Sequence, residues 1–365
     1  MAGQLPDDAS RLRIPVIWNE DCLLHRPDGE VWLGVWETGT EVPQRAEALL
    51  GAARAAGAEV LPAQSHGDTA LESVHDPALV AHLATIWRDW EAGGYVAEHG
   101  RRRVVPYVFP TAGLLAGLPP RLPAAVHARP GLFCYDTMTL VGPGSWTAIR
   151  AAADAALTAA DLVAAGRRAA YALCRPPGHH AGPAAYGGSC YLNNAALAAQ
   201  ALRAAGVSRV AVIDIDAHHG NGTQAIFYDR PDVFYGSVHI DPGAGWFPHY
   251  AGFADERGTG AGTGANRNLP LAPDTGDEEW LAAIGRLCAE AADRGTEAVV
   301  ASLGLDAAAD DPESPLRVSA AGYRAAGELI GRLGPVAVIQ EGGYDLGSLG
   351  DLAVAALTGL QAGGG

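Results

Sequence analysis

The stretch RVAVIDIDAHHGNG, residues 209–222, is typical of a strand that leads into a functional loop, because an apolar run ends directly in a run of polar and ionisable residues. A strand buried inside a parallel sheet has such a continuous apolar pattern, since helices cover both faces of the sheet. We place this strand at 209–214. Runs of the same kind predict four more strands, at 169–174, 233–238, 298–303 and 336–340.

Between these strands lie Ala- and Leu-rich stretches that are long enough for the helices that parallel connections require. They predict helices at 147–165, 193–205, 277–294 and 320–333, with Ser319 as the N-cap of the last one. Two further helical patterns lie at 42–56 and 77–90. This alternation indicates an α/β fold around a mostly parallel sheet, and the length of 365 residues suits one or two domains.

Residues 93–130 differ from the rest of the chain, because they are rich in proline and contain three adjacent arginines, Arg101, Arg102 and Arg103. A loop of this length is usually functional or disordered, and we interpret it as a long surface insertion. A run of arginines is more often a solvated face than a binding patch. The tail, residues 361–365, is expected to be mobile.

The chain is acidic, with 41 Asp and Glu against 25 Lys and Arg and a net charge of -16. Nucleic acid is not an expected partner, because binding to phosphates needs clustered Lys and Arg. A basic small molecule fits better, since carboxylates around a cleft attract cations. The five cysteines lack CxxC spacing, and neither a secretory leader nor a membrane-spanning stretch is recognisable. We therefore expect a cytoplasmic protein that does not bind membranes.

Polar and ionisable residues follow four of the five predicted strands. Because ligands of open α/β sheets bind at the carboxyl ends of the strands, these residues are candidates for one site. The candidates in chain order are His179, His180, Asp214, Asp216, His218, His219, Asn221, Asp306, Glu313 and Tyr344.

Asp216, His218 and Asp306 together offer two carboxylates and one imidazole, a donor set for a divalent cation that leaves positions free for water and substrate. Side chains two apart at a strand end point the same way, as the first two of these residues require. A structural zinc site would instead be closed by four ligands, usually including cysteine. Each residue alone would also suit an ordinary hydrogen-bonded loop, so the hypothesis depends on the complete set.

His179 and His180 are adjacent, so their side chains diverge and each needs its own partner to fix its tautomer. Asp214 and Asn221 are reasonable partners. Two imidazoles beside a metal suit general base and general acid catalysis of hydrolysis, although two loop histidines stacked on aromatic rings would also fit the pattern. Tyr344 follows two glycines and could donate a hydrogen bond to a developing oxyanion.

Six motifs in order resemble those of the arginase-like metallohydrolases of the histone deacetylase superfamily. The similarity is closest to bacterial acetylpolyamine amidohydrolases and class II deacetylases. It extends toward the N-terminus through EVPQRAEAL at 41–49, VHDPALVAHL at 74–83 and VPYVFP at 105–110. The motifs are RPPGHHA (175–181), GGSCYLNN (187–194), DIDAHHGNGTQ (214–224), FPHY (247–250), SLGLDAAADDP (302–312) and EGGY (341–344).

The resemblance implies one catalytic domain over residues 1–365, with a mostly parallel sheet of eight strands flanked by helices. It implies that Asp216, His218 and Asp306 bind zinc. It also implies that Asp214 holds His179, that His180, backed by Asn221, is the main general acid and base, and that Tyr344 polarises the amide carbonyl. A structural potassium ion is implied at Asp214, Asp216, His218, Ser237 and Val238.

The substrate-binding residues implied by the resemblance are Gly188, Ser189, Trp246, Phe247 and Glu313. Ser189 stands where the family usually has an aromatic tunnel wall, so we expect a wider or more polar tunnel. Glu313 lies where a polyamine-selective eukaryotic relative has a glutamate gatekeeper. The 93–130 insertion is similar to the one through which acetylpolyamine amidohydrolases form homodimers, but it carries no Asp or Glu after Glu98.

These residues lead to the hypothesis of a zinc-dependent amidohydrolase that removes an acetyl or other short acyl group from an acetylated polyamine or a similar small aminoalkyl amide. Two alternatives within this chemistry are a deacetylase of acetyl-lysine in proteins or peptides and a deacylase of a biosynthetic acyl amine. A two-manganese ureohydrolase fits less well, because the histidine pair has no role there. A non-catalytic binder of acyl amines would not need Tyr344 and His180.

Overall fold

A sheet of eight parallel strands forms the centre of the computed structural model, which describes residues 11–364. The strand order is β4-β1-β5-β10-β9-β6-β7-β8, and a separate antiparallel hairpin consists of β2 and β3. The strands are β1 Val16–Trp18, β2 Glu30–Trp32, β3 Val35–Glu37, β4 Val60–Pro62, β5 Ala169–Ala172, β6 Val210–Asp214, β7 Val233–Ile240, β8 Asn266–Leu271, β9 Ala298–Leu303 and β10 Val336–Gln340.

Helices cover both faces of this sheet, because side chains of each strand alternate between two apolar clusters. In β9, for example, Val299 and Ala301 pack with α1, α9, α10 and α11, whereas Val300 packs with α6 and α7. The helices are α1 Gln44–Ala55, α2 Asp68–Glu72, α3 Pro77–Ala92, α4 Ala112–Leu115, α5 Pro130–Phe133, α6 Ser145–Ala164, α7 Asn194–Ala204, α8 Asn221–Phe227, α9 Asp277–Asp293, α10 Ala320–Gly331 and α11 Leu349–Gly363.

The mostly parallel eight-stranded sheet is confirmed, and the five strands predicted from apolar runs are β5, β6, β7, β9 and β10. Ser319 caps α10 as expected, because its side chain accepts a hydrogen bond from the backbone N–H of Gly322. The sequence patterns missed the three remaining strands, β1, β4 and β8, which lie toward the edges of the sheet. The central strands are buried on both faces, and this burial produces the pattern that reveals them.

Of the tail expected over 361–365, residues 361–363 are the last residues of α11. Helix α11 packs against α10, where Gly327 and Gly359 let the two backbones approach each other closely. The side chain of Gln361 also accepts a hydrogen bond from the backbone N–H of Arg13, at 2.6 Å. Gly365 lies outside the described residues.

The segment 93–130 is an excursion that contains only the short helix α4 and one 3-10 turn among its regular elements. Arg101 and Arg102 are exposed, which fits a solvated face. Arg103 instead donates to the carbonyl of Pro27 at 3.0 Å and pairs with Asp28. It therefore ties the excursion to the segment that leads into β2. None of the helices in residues 11–364 is sufficiently long and apolar to cross a membrane.

Candidate active site

The carboxyl ends of β5, β6, β9 and β10 bring the candidate residues together. These strands are neighbours in the sheet, so the loops that follow them meet at one edge. His179 and His180 follow β5, Asp216 and His218 follow β6, Asp306 follows β9, and Tyr344 follows β10. His179, His180, Asp216 and Asp306 are more than nine-tenths buried, whereas His218 and Tyr344 are half-buried and line a cavity that opens from this edge.

Asp216, His218 and Asp306 form a group in which one ligand atom from each residue lies within 4.8 Å of the others. Backbone N–H groups orient the two carboxylates: Ala217 donates to Asp306 Oδ1 at 2.8 Å, and Gly342 donates to Asp216 Oδ2 at 2.8 Å. A side chain at position 342 would collide with both carboxylates. The two glycines before Tyr344 thus let β10 approach this group.

The three groups share protons in the absence of a cation. Burial, and then the charge of Asp216, raise the pKa of Asp306 to about 7. Burial lowers the pKa of His218, but hydrogen bonds to Asp216 and Asp306 raise it well above its usual value. His218 Nδ1 is 3.0 Å from Asp306 Oδ2. A divalent cation would take the place of this proton, because metal ligands must be deprotonated.

His179 is fully buried, and its Nδ1 lies 3.2 Å from Asp214 Oδ2, so its ring donates to the partner suggested by the sequence. Burial disfavours the charged ring, but the charges of Asp216 and Asp214 outweigh it and raise the pKa of His179 to about 10. The Nε2 atom is 3.7 Å from Asp216 Oδ1. His179 is therefore a fixed positive charge, and a cation held by Asp216 would weaken that effect.

The pKa of His180 shifts in the opposite direction to that of His179. Burial and the neighbouring rings of His179 and His218 lower its pKa well below the usual value. Its Nδ1 lies 2.7 Å from Asn221 Oδ1, and since an amide oxygen only accepts, this nitrogen carries the proton. The Nε2 lone pair of a neutral ring is then free to take a proton. Phe247 packs edge-on against this ring, with 4.8 Å between the centroids.

Tyr344 lies beside the candidate metal ligands Asp216, His218 and Asp306, and it lines the same cavity as His180 and His218. Burial raises the pKa of its hydroxyl well above the usual value, so the hydroxyl is a proton donor over the whole neutral range. The Arg45 guanidinium lies 4.7 Å from the centre of the ring, and its Nε donates to the carbonyl of Gly343 at 2.6 Å. Arg45 therefore contacts both the ring and the backbone of this segment.

Sequence reasoning missed a buried layer of charged residues behind the site. Glu341 accepts from the backbone N–H groups of Gly178 at 2.7 Å and His179 at 3.1 Å, which fixes the loop after β5. Burial raises the pKa of Glu341 to about 7. Glu41 lies between Arg45 and Arg175. The signal was present, since Glu341 begins the EGGY motif, but its partners are distant in the chain.

The residues predicted to bind substrate line one cavity of about 530 Å³ beside the candidate metal ligands. Ser189 adopts a left-handed backbone conformation with φ of 60° and leaves the wall without an aromatic ring at this position. Asp136 holds this wall, because it accepts from the backbone N–H of Gly188 at 2.6 Å. The predicted lining residues are Gly188, Ser189, Trp246, Phe247 and Glu313.

The hairpin of β2 and β3 forms a further wall of this cavity, and the sequence analysis missed it. It contributes Glu30, Trp32 and Glu37, so with Glu313 three carboxylates line the cavity. Burial, and then the charge of Glu313, raise the pKa of Glu30 to about 7. The sequence EVWLGVWE, residues 30–37, contained a signal for this hairpin, because a glycine lies between two short apolar stretches. In the structure Leu33 and Gly34 form the turn, and both have the positive φ that a two-residue hairpin turn requires.

The residues of the expected potassium site lie on two neighbouring strands, where Asp214 of β6 pairs with Ser237 of β7. Asp214 is fully buried and accepts from the hydroxyl of Tyr235 at 3.1 Å. The Ser237 hydroxyl lies 2.7 Å from His239 Nδ1. Asp216, His218 and Val238 lie in or just after the same two strands.

Comparisons with known proteins agree with this geometry. A model of the histone deacetylase domain matches residues 39–360. Acetylpolyamine amidohydrolase from Mycoplana ramosa is 40% identical over 92% of this chain and 96% of its own length. Acetylpolyamine amidohydrolase 1 from Pseudomonas aeruginosa is 40% identical over 94% of this chain and 98% of its own.

Two solved structures extend the comparison to three dimensions. The structure of acetylpolyamine aminohydrolase from Burkholderia pseudomallei matches with a TM-score of 0.89 at 39% identity, over 96% of this chain and 99% of the other. The structure of the HDA15 HD domain matches with a TM-score of 0.78 at 29% identity, over 95% and 91% of the two chains.

Proposed function

Because the chain belongs to the histone deacetylase family, we propose that it hydrolyses the amide of an acetylated polyamine or of a similar small aminoalkyl amide. The observation that carries this proposal is the composition of one cavity. Its lining includes His180, His218 and Tyr344, and it also includes three carboxylates. The first group suits amide hydrolysis, and the carboxylates suit a substrate with ammonium groups. The relatives named as acetylpolyamine amidohydrolases support the same substrate class.

The donor set of Asp216, His218 and Asp306 fits a zinc ion, because two carboxylate oxygens and one imidazole nitrogen converge within 4.8 Å. Three protein ligands match catalytic zinc sites rather than structural ones, which are closed by four. When bound, zinc supplies a Lewis acid that polarises the amide carbonyl and makes water more acidic. The neighbouring residues Asp214, at the end of β6, and Ser237, within β7, are the proposed site of a structural potassium ion.

The protein's own residues handle the protons. His180 accepts a proton from the attacking water at Nε2, since its Nδ1 proton is held by Asn221, and then delivers a proton to the leaving amine. Asp214 raises the pKa of His179 independently of Asp216, and the positive charge that it favours on this ring stabilises the negative charge that develops nearby. Tyr344 donates a hydrogen bond from its hydroxyl to the developing oxyanion.

The carboxylates in the cavity wall select the amine part of the substrate. Glu313 accepts a hydrogen bond from the Thr40 hydroxyl at 2.8 Å, which orients its carboxylate. Two opposite charges about 4 Å apart attract by about 4 kcal/mol at an effective dielectric of about 20, and exposure reduces this value. Trp32 and Trp246 line the same cavity and offer aromatic faces to a cation.

The main competing function is deacetylation of acetyl-lysine or deacylation of a biosynthetic acyl amine. The specific observation that favours it is Ser189, which leaves one wall open for a wider acyl group or a peptide backbone. A non-catalytic binder of acyl amines would not require the proton-donating Tyr344 hydroxyl or a neutral His180.

We further propose that the insertion mediates a homodimer. Leu114, Leu118 and Leu122 within it are 64%, 70% and 61% exposed. Exposed large apolar residues in one segment are typical of an interaction surface. A second copy of this chain is the proposed occupant, since the same segment would then cover its counterpart about a two-fold axis. Sedimentation of the wild type and of a Leu114→Ser, Leu118→Ser variant would test this proposal, which a monomeric wild type would contradict.

A substrate screen tests the proposed activity. The zinc-loaded protein would be assayed for acetate release from mono-acetylated di-, tri- and tetraamines and from acetyl-lysine peptides. We expect kcat/KM to be at least about tenfold higher for the acetylated polyamines, equivalent to 1.4 kcal/mol of differential binding in the transition state. Preference for the peptides would shift the assignment to the competing function, and inactivity on every amide would refute hydrolysis.

A further inference from the structure

Asp311 lies in the loop between β9 and α10, and its side chain is only 7% exposed. Its carboxylate accepts hydrogen bonds from three backbone N–H groups. Oδ1 accepts from Glu313 at 3.0 Å, and Oδ2 accepts from Tyr344 at 2.6 Å and from Asp345 at 3.2 Å. The first contact is local, whereas the other two reach the loop after β10. One side chain therefore joins two loops that line the cavity.

We propose that Asp311 is a positioning residue that fixes Tyr344 and Glu313 relative to each other. It thereby sets the distance between the group that polarises the amide carbonyl and the carboxylate that binds the remote ammonium. This inference rests on the proposed function of Tyr344 and Glu313. The hydrogen bonds of Asp311 are present whatever that function is.

Both oxygens of the Asp311 carboxylate are needed to hold the two loops, because each oxygen accepts hydrogen bonds from the N–H groups of a different loop. Ionised Asp accepts on both oxygens, whereas Asn accepts on one side only and donates on the other. In Asp311→Asn the amide N–H must face either Glu313 N–H or the N–H groups of Tyr344 and Asp345. The single remaining acceptor oxygen cannot hold both loops in their wild-type positions, although the side-chain volume is nearly constant.

The contact is also strong enough to position a loop. Bonds between a carboxylate and backbone N–H groups are charge-assisted and about twice as strong as neutral ones. Within residues 11–364, Asp311 forms no ion pair with Lys, Arg or His, so the N–H groups are its direct partners. Arg45 holds the Tyr344 segment independently, through the carbonyl of Gly343, which explains how the segment can remain folded when Asp311 is changed.

The matched control is Asp310→Asn, which makes the same chemical change at the neighbouring, exposed position. Both variants would be loaded with zinc and assayed on N-acetylputrescine and on neutral N-butylacetamide. For Asp311→Asn we expect kcat to fall about tenfold or more on both amides, since a misplacement of about 1 Å can cost up to about 100-fold. We expect KM to rise severalfold for the cationic amide alone. A purely structural role would change both substrates equally.

Backbone hydrogen exchange of the peptide that contains Tyr344 and Asp345 gives a readout that does not depend on activity. We expect faster exchange in Asp311→Asn than in wild type and in Asp310→Asn. Equal exchange or equal kinetics in the two variants would overturn the inference. If Asp311→Asn does not fold, Asp311→Ser serves in its place. Inactive wild type with altered exchange in the variant would refute the proposed function while the hydrogen-bond link between the loops stands.

Discussion

Replacing Tyr344 by Phe isolates the contribution of a single hydroxyl group. The ring would keep its place, because the Arg45 guanidinium contacts its face at 4.7 Å and the backbone N–H remains bound to Asp311. The Asp216, His218 and Asp306 group would keep its backbone donors, so zinc content should equal that of wild type. The change therefore removes only the proposed donor to the oxyanion.

The expected loss follows from the energy of one such donor. Removing one donor to an oxyanion costs about 2.7–4 kcal/mol in the transition state, which is a fall of about 10² to 10³ in kcat. KM should change little, because the interaction forms in the transition state and the carboxylates that bind the amine are untouched. Stability should change by less than about 1 kcal/mol, since the ring and its packing are retained.

The assay is acetate release from N-acetylputrescine, with zinc content and thermal unfolding measured on the same samples. Tyr250→Phe is the matched control, since this residue is 94% exposed and should retain wild-type kinetics. A kcat within about threefold of wild type would refute the role of Tyr344. A large fall in zinc content would refute the reasoning about its position.

Three other predictions address charge and protonation. Glu313→Gln retains the oxygen that accepts from Thr40 but removes the charge, so kcat/KM should fall about 5- to 30-fold for N-acetylputrescine and remain constant for N-butylacetamide. Glu278→Gln, at an exposed position on α9, is the matched control. Equal losses on both amides would contradict a cation-binding role. Glu30 gains its charge as the pH rises through about 7, so KM for the cationic amide should fall between pH 6 and pH 8, and Glu30→Gln should flatten this dependence. Zinc affinity should fall as the pH drops below about 7, because Asp306 and His218 take up protons that compete with the metal. Calorimetric titration in buffers of different ionisation enthalpy should show that protons are released when zinc binds. Binding without proton release would contradict the protonation of these two residues in the metal-free protein.

The central part of the fold could be predicted because its strands are buried on both faces. Residues 210–214 and 298–303 show this as continuous apolar runs. Edge strand β8, with the sequence NRNLPL, lacks such a run and contains Pro270, which an edge strand tolerates. The glycine-rich end of the chain, residues 361–365, resembles a tail, yet Gly359 and Gly363 allow the close contact of α11 with α10. Contacts with distant parts of the chain therefore stabilise both elements, and the local sequence pattern does not reveal them.

The site was predictable where its residues follow strands in the sequence. Asp216, His218 and Asp306 are brought together by strand ends, and a general rule for parallel sheets anticipates that position. The hairpin wall with Glu30 was not predictable in this way, because nothing in the local pattern indicates which surface a hairpin covers. The same holds for Asp311, which reaches the backbone of Tyr344, and for Glu341, which reaches the backbone of Gly178, because these partners are more than 30 residues away in the chain.

The most direct test of the account is the metal dependence of acetate release from a mono-acetylated polyamine. The chain would be freed of metal by chelation, assayed, reloaded with zinc and assayed again, beside an Asp306→Asn variant treated identically. We expect activity to disappear on chelation, to return with zinc in the wild type, and to stay absent in the variant. Activity that persists in the metal-free protein, or in the variant without bound zinc, would contradict the assignment of this site as a zinc-dependent amidohydrolase.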